Sequence, residues 1–210
     1  MSKRTHIILW IATLLSYIGI LIVYRKLPQT VPIHWDSNWE ANGYADKRFM
    51  FLIGALPAIL NGFFYILKDI DPRRKNYDPK TYGIIRASIV VLTIFFTWVT
   101  VVAALKVDLD FKLFVPAGLG IAFLVIGNYL PKVKNNFFMG IKNPWTLSDD
   151  SVWRKTHKAG GYFFIALGIL MLPIGVIKER TYSQVVFGLL LAGVIAINVY
   201  SYILYKRDHK

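Results

Sequence analysis

From Tyr82 to Leu105 the chain reads YGIIRASIVVLTIFFTWVTVVAAL, an apolar run with one charge, Arg86, about a turn from its start. At about 1.5 Å per residue a helix of this length crosses the roughly 30 Å hydrocarbon core of a bilayer. Similar runs recur at about 6–24, 49–67, 112–130, 160–177 and 182–205, which leaves almost nothing of the 210 residues for a soluble domain. A hydrophobic content of 55% is too high for an ordinary soluble chain. Lipid cannot satisfy an open backbone, and the runs lack the period-two alternation of a barrel strand, so helices are expected. The reading is an all-α polytopic membrane bundle of about six transmembrane helices. It divides into a two-helix unit (1–67) and a four-helix unit (68–210) within one integral membrane domain.

Lys3 and Arg4 precede the first run, but bulky Tyr17, Ile22 and Tyr24 continue to its end with no small-residue cleavage site, so it reads as a retained span. The absence of cysteine removes disulfides, thiol nucleophiles and thiolate metal sites together.

The formal net charge of +13 is distributed unevenly between alternate loops. Sixteen basic residues fall on one side: Lys3, Arg4, Lys68, Arg73, Arg74, Lys75, Lys80, Lys132, Lys134, Lys142, Arg154, Lys155, Lys158, Lys206, Arg207 and Lys210. Eight fall on the other: Arg25, Lys26, Lys47, Arg48, Lys106, Lys112, Lys178 and Arg180. The positive-inside rule then puts both termini and loops 68–81 and 131–159 in the cytoplasm, and loops 25–48, 106–111 and 178–181 outside. Topology and attraction to anionic membrane lipids account for the charge. Direct nucleic-acid binding would need a separate basic module, and none is visible.

No span contains an internal Asp or Glu, the residues that commonly carry ions or protons at bilayer depth. Arg86 reads as an anchor snorkelling to the cytoplasmic headgroups, with a functional charge as the alternative. Asn61, Asn128, Asn198, Ser88, Thr93, Thr97 and Thr100 suit interhelical hydrogen bonds, or a polar path for a small solute or lipid. Pro57, Pro116 and Pro173 are expected to bend or end helices. His6, His34, His157 and His209 form no H-E-x-x-H pair, and Ser148 and Ser151 have no carboxylate placed to complete a triad with His157. An enzyme, a cofactor and a metal centre are therefore not expected.

Two loops carry information. The outer one runs Leu27-Pro28-Gln29-Thr30-Val31-Pro32-Ile33-His34-Trp35-Asp36 and continues to Asn42-Gly43-Tyr44-Ala45-Asp46-Lys47. Its prolines favour an extended chain, Asn42-Gly43 favours a tight turn, and Trp35, Trp39 and Tyr44 suit an interface or a ligand, so a short ordered cap is expected. His34, Asp36 and Asp46 are chemically able to ligate zinc or manganese, but one histidine without cysteine makes a poor set. His34, Trp35, Asp36 and Tyr44 are the contact candidates on this face.

The inner loop, Asn128 to His157, includes Gly140-Ile141-Lys142, Pro144-Trp145-Thr146-Leu147 and Val152-Trp153-Arg154-Lys155-Thr156-His157. Ser148 suits an N-cap, with Asp149 and Asp150 in the first turn facing the positive end of the dipole and Trp153, His157, Gly160 and Phe164 on one face. A short amphipathic helix on the cytoplasmic surface, turning into the fifth span, is expected. Two uses fit it: Phe137, Phe138, Trp145 and Trp153 at the headgroups with lysines on lipid phosphate, or a docking surface built on aromatic and Arg anchors. Lys142, Pro144, Trp145, Thr146, Trp153, Arg154 and His157 are the candidates for the second.

The inner motif resembles the SdpI family of bacterial membrane immunity proteins, whose signature there is a glycine, an aliphatic and a basic residue, then Pro-Trp-Thr-Leu and Val-Trp. The outer loop is similar to the domain of unknown function common at the N-terminus of that family, through Leu27-Pro28, Val31-Pro32-Ile33-His34-Trp35 and Gly43-Tyr44. The sequence departs at Lys142-Asn143, where Arg-Thr is common, and at Trp39 and Asn42, where Gly and Asp are expected. The resemblance implies a six-helix plasma-membrane protein that resists a secreted peptide toxin and, in some members, captures a cytoplasmic transcriptional repressor. A small-solute or lipid transporter is the alternative function. The charge asymmetry predicts that a reporter fused near position 40 reads out as external and one near position 145 as cytoplasmic; the opposite pair would reverse the topology.

Overall fold

The computed structural model describes residues 3–36, 40–177 and 180–209; Trp39, Lys178 and Lys210, used in the reading above, lie outside the described residues. Its elements are α1 (Lys3–Val23), β1 (Thr30–Trp35), β2 (Ala41–Asp46), α2 (Phe49–Ile70), α3 (Pro79–Ala104), α4 (Phe111–Tyr129), α5 (Pro144–Ser148), α6 (Asp150–Met171) and α7 (Arg180–Asp208). Every helix except α5 is long and apolar enough to cross a membrane, which makes an all-α multi-pass bundle of six spans among the described residues. Polar contacts gather both termini, the α2–α3 loop and the α4–α6 loop at one end. His6 meets Arg86, Arg73 meets Asn135, and His209 lies 3.7 Å from Asp149. The β1–β2 hairpin lies at the other end.

Local chemistry sets the helix limits. Asp78 caps α3 by accepting from the Thr81 amide at 2.7 Å, and Pro79 opens the first turn, where its missing N–H costs nothing. The Thr81 side chain and amide hold the Asp78 carboxyl below its ordinary range, so the cap is lost only as pH falls through that lowered value. Pro173 sits in a 3-10 turn, Leu172–Gly175, that closes α6, while Pro57 and Pro116 remain inside α2 and α4. Ile8, Leu15 and Ile22 on α1, and Val185 and Ile195 on α7, stay exposed, as a lipid-facing surface requires.

Helices α4 and α6 make the closest crossing. Gly120 and Gly127 on α4, and Gly161 and Gly168 on α6, are each two turns apart and so share a face. A Cβ on Gly127 would lie 2.7 Å from the Gly161 carbonyl oxygen, and one on Gly161 would lie 2.7 Å from that of Gly127. Gly168 and Gly120 repeat the arrangement at 2.7 and 2.9 Å. Backbone therefore packs on backbone, the type of contact that holds helices together where lipid removes the hydrophobic drive.

The structure corrects the expectations for the outer loop and for Arg86. The outer loop is an antiparallel hairpin, and Asn42-Gly43 is not its turn. The register pairs Thr30 with Asp46, Val31 with Ala45, Pro32 with Tyr44, His34 with Gly43 and Trp35 with Ala41. That register continues to the bond from the Asp36 amide to the Glu40 carbonyl, beyond Asn42-Gly43, and makes Ile33 and Asn42 the extra residues of two bulges. Val31 is buried among Ile20, Leu27, Met50, Val101 and Ala104, and Pro32 beside it is buried as well, so burial at this point of the strand, rather than the Asn-Gly signal, sets the register.

Arg86 does not snorkel. It is 2% exposed, and its Nε and Nη2 donate to Asn61 Oδ1 at 2.9 and 2.6 Å while Nη1 donates to His6 Nδ1 at 3.2 Å. The side chain is turned into the bundle because α1 and α2 supply acceptors there. Burying an ion costs several kcal/mol, which these neutral partners offset only in part.

Leucine at Gly127 or Gly168 forces the α4 and α6 backbones apart and should destabilise the protein by about 1–3 kcal/mol each. Gly188, with no heavy atom within 4 Å of a Cβ placed there, accepts the same change without loss. Thermal unfolding in detergent checks the comparison; equal melting of all three variants would remove the crossing from its central position.

Candidate functional site

At the hairpin end, β1 covers a groove over α2, α3 and α4. Ile33, His34 and Trp35 form one wall, and Leu56, Phe96 and Val115 contribute to the others around a cavity of about 460 Å³. Thr93, Thr97 and Thr100 also line it. The hydroxyls of Thr93 and Thr97 bond to main-chain carbonyls, Thr93 to Ile89 at 3.0 Å and Thr97 to Thr93 at 2.9 Å and Ile53 at 3.3 Å. The groove therefore presents mainly hydrocarbon, with an imidazole and an indole at its mouth.

The contact candidates of this face divide by placement. His34 and Trp35 line the groove, and the His34 Nδ1 lies 2.6 Å from Asn42 Oδ1, which bridges the two bulges. Tyr44 is 61% exposed, with its hydroxyl donating to the Ala41 carbonyl at 3.1 Å. Asp36 closes the hairpin, its Oδ1 accepting from the Glu40 amide at 3.1 Å and its own amide donating to the Glu40 carbonyl at 2.9 Å. Asp46 is occupied elsewhere by Arg48 at 2.8 Å and Gln29 at 3.2 Å, and the Arg48 side chain holds its carboxyl below the ordinary range. His34, Asp36 and Asp46 do not converge, and no metal-holding cluster occurs among the described residues.

At the other end the loop between α4 and α6 folds over the rings of α6. Trp153 and His157 are buried and stacked at 4.0 Å between centroids. The Trp153 Nε1 donates to the Val133 carbonyl at 2.7 Å. The His157 Nδ1 faces the Trp153 carbonyl at 2.9 Å while Nε2 accepts from the Ile141 amide at 3.0 Å, which assigns the ring as neutral with its proton on Nδ1. Gly140, at φ +110°, carries the chain over His157; a Cβ there would collide with the ring nitrogen.

Thr146 and Asn143 complete the fold of this loop through a capping box on α5. The Asn143 side chain accepts from the Thr146 amide at 2.9 Å, and the Thr146 hydroxyl accepts from the Asn143 amide at 3.0 Å. Asn143 Nδ2 reaches Asn198 at 3.0 Å and Ser201 at 2.8 Å, tying the loop to α7. Ser148 is thus the last residue of α5 and not an N-cap. Pro144 starts a helix one turn earlier than expected, and the cap passes to Asp149, whose extended backbone lets its carboxylate accept from the Val152 amide at 2.8 Å. From Asp150, in the first turn as expected, α6 continues without a break into the fifth span, so no separate surface helix turns into it.

Of the candidates on this face, Thr146, Trp153 and His157 are buried and build the loop from within. Trp153 accordingly is not at the headgroups. Lys142, Pro144 and Arg154 are exposed, and Trp145 is half-buried against Tyr202 at 5.2 Å. Lys142 Nζ donates to the carbonyls of Phe137 and Phe138 at 3.2 and 3.0 Å.

The sequence reading missed the polar lock beneath this surface. Buried Asp71 accepts from the Arg73 amide at 2.7 Å, the Tyr77 hydroxyl at 2.7 Å and the Phe137 amide at 3.0 Å. Asn136 accepts from the Phe138 and Met139 amides and donates to the Lys134 and Met139 carbonyls. Arg73 reaches Asn135 and the Leu147 carbonyl, and Asn135 reaches Asp150 at 2.7 Å. Burial and the neighbouring Asp71 carboxylate raise the Tyr77 pKa, keeping that hydroxyl a donor. The available signal was Asn135-Asn136 ahead of two aromatics, a pair suited to ordering turns.

Residues 132–203 match the SdpI/YfhL protein family, and residues 11–60 match the domain of unknown function DUF1648. The chain is similar to the immunity protein SdpI of Bacillus subtilis (strain 168), 24% identical over 204 residues that make up 97% of each chain. No solved structure matches it.

Replacing Asp149 by Ala removes the observed α6 cap and should cost about 1 kcal/mol, whereas Ser148→Ala should stay within about 0.5 kcal/mol. Thermal unfolding of the two variants in detergent separates the assignments, and a larger loss at Ser148 would restore it as the cap.

Proposed function

We propose that this chain, a bearer of the SdpI/YfhL and DUF1648 segments, is a multi-pass membrane immunity protein that protects its cell against a secreted peptide toxin. One observation supports this placement of the site most directly: the apolar groove mouthed by His34 and Trp35, two residues of the DUF1648 segment, has the size to take an apolar peptide side chain. The similar protein named for immunity aligns along nearly the whole chain. The excess of basic residues in the other loops supports an external hairpin, where a secreted toxin arrives, and cytoplasmic termini.

The exposed Lys142, Pro144 and Arg154, with half-buried Trp145, then form a cytoplasmic face suited to a protein partner such as a transcriptional repressor. Thr146, Trp153 and His157 act beneath it as its frame. Toxin sensing joins the two faces if toxin binding favours one arrangement of the helices that carry both, a coupling set by differential affinity.

Trp35→Ala should weaken survival under toxin challenge, while Arg154→Ala should lower membrane recruitment of a candidate repressor and leave survival nearly intact. Both activities are to be measured on the same variants at matched protein levels. Parallel loss of both in each variant would end the division of labour, and substrate-dependent flux in proteoliposomes without protection would replace immunity by transport.

A further inference from the structure

A second cavity, of about 490 Å³, opens at the termini end between α1, α2 and α3. Arg86 lines it together with His6, Tyr65, Lys68, Arg74 and Lys75, and Asp69 is the carboxylate among the lining residues. No carboxylate stands within ion-pair distance of Arg86 among the described residues. Lys68 Nζ and the Arg86 guanidinium both lie over the Tyr65 ring, 5.3 and 5.9 Å from its centroid, and His6 packs on the same ring at 4.8 Å.

Around Arg86 the donors outnumber the acceptors. A guanidinium has five N–H groups, and here the partners are one amide oxygen and one imidazole nitrogen. Asn61, which gives its oxygen to Arg86, has its own Nδ2 buried without a hydrogen-bond partner among the described residues. Buried charge of one sign with surplus donors is complementary to an anion with several acceptor oxygens, and Arg pairs with phosphate in a fork. The cavity also lies near the ends of three apolar helices, where α1 and α3 begin and α2 finishes. Beside His6 and Tyr65 in the sequence, Ile7 and Ile66 are more than half exposed and offer an apolar track for acyl chains.

We propose that this cavity binds the phosphate group of an anionic phospholipid, with Arg86 at its floor and Lys68, Arg74 and Lys75 around its mouth. The lipid headgroup supplies the negative charge that the protein withholds from Arg86, and the site fastens α1 to the α2–α3 hairpin of helices. It is independent of the toxin groove, which lies at the opposite end.

The test measures lipid retained by the full-length protein in neutral detergent, by native mass spectrometry, after exposure to phosphatidylglycerol or phosphatidylcholine. The protein should retain phosphatidylglycerol in preference, and Arg86→Gln should lower its retention by about tenfold. Because Arg86→Gln can disturb folding, the rim variant Lys68→Gln/Lys75→Gln, outside the core, should lower it by about fivefold. Lys206→Gln, elsewhere on the basic surface, should leave it unchanged. Equal retention of the two lipids, or unaltered retention in both cavity variants, would overturn the site. Inorganic phosphate that displaces the lipid at equal concentration would overturn the assignment to lipid in favour of a free phosphate.

Discussion

The contact between the backbones of α4 and α6 fixes the position of nearly everything at the termini end. Lipid tails are as apolar as leucine, so helices in a bilayer gain from close approach and interhelical hydrogen bonds rather than from leaving water. Gly120, Gly127, Gly161 and Gly168 permit that approach. With α6 held against α4, Trp153 and His157 stand at a fixed height under the loop that joins the two helices. Their ring nitrogens then take the Val133 carbonyl and the Ile141 amide, and the loop is drawn into one conformation.

From this loop the order spreads outward through buried polar groups. Asn135 links it to Arg73, Asn136 to Tyr77 and the Phe137 amide to Asp71, so the first and second loops of this end are tied together. Such networks specify a structure strongly because each unmade bond leaves a desolvated group. The surface this body presents, Lys142, Pro144 and Arg154, is accordingly rigid where its own frame is buried. The hairpin end is built differently. Its core is aliphatic, the hydroxyls of Thr93 and Thr97 turn to main-chain carbonyls, and its groove is lined mainly by apolar side chains.

Basic residues have separate physical roles in the two settings. Those in the loops are mostly exposed, where charge costs little. Arg86 lies within the bundle, held by Asn61 and His6, and there its charge is costly and its surplus donors define a chemistry. The same residue type thus stands in exposed loops, where its charge costs little, and at the floor of a basic cavity within the bundle, where it costs more.

The six spans, the all-α class and the two signature loops were legible in the sequence, because length, hydropathy and short motifs are local properties of the chain. The cap at Asp149 was missed by one residue, because a capping box three-dimensionally satisfied at Asn143 and Thr146 absorbed Ser148 into α5. Burial of Trp153 and His157 was equally hidden: a helix face of aromatics reads the same whether it meets headgroups or the underside of a loop. The glycines of α4 and α6 showed their spacing but not their partners, and the hairpin register followed the burial of Val31 and Pro32 instead of the Asn42-Gly43 signal. Arg86 carries the clearest lesson. Its place in the sequence allowed a side chain reaching for water, and only the approach of α1 and α2, which brings His6 and Asn61 to its guanidinium, decided that it turns inward. What the sequence alone determined is what each segment can do by itself in lipid, while the tertiary structure decided which polar groups meet, since that depends on residues far apart in the chain arriving within hydrogen-bond distance.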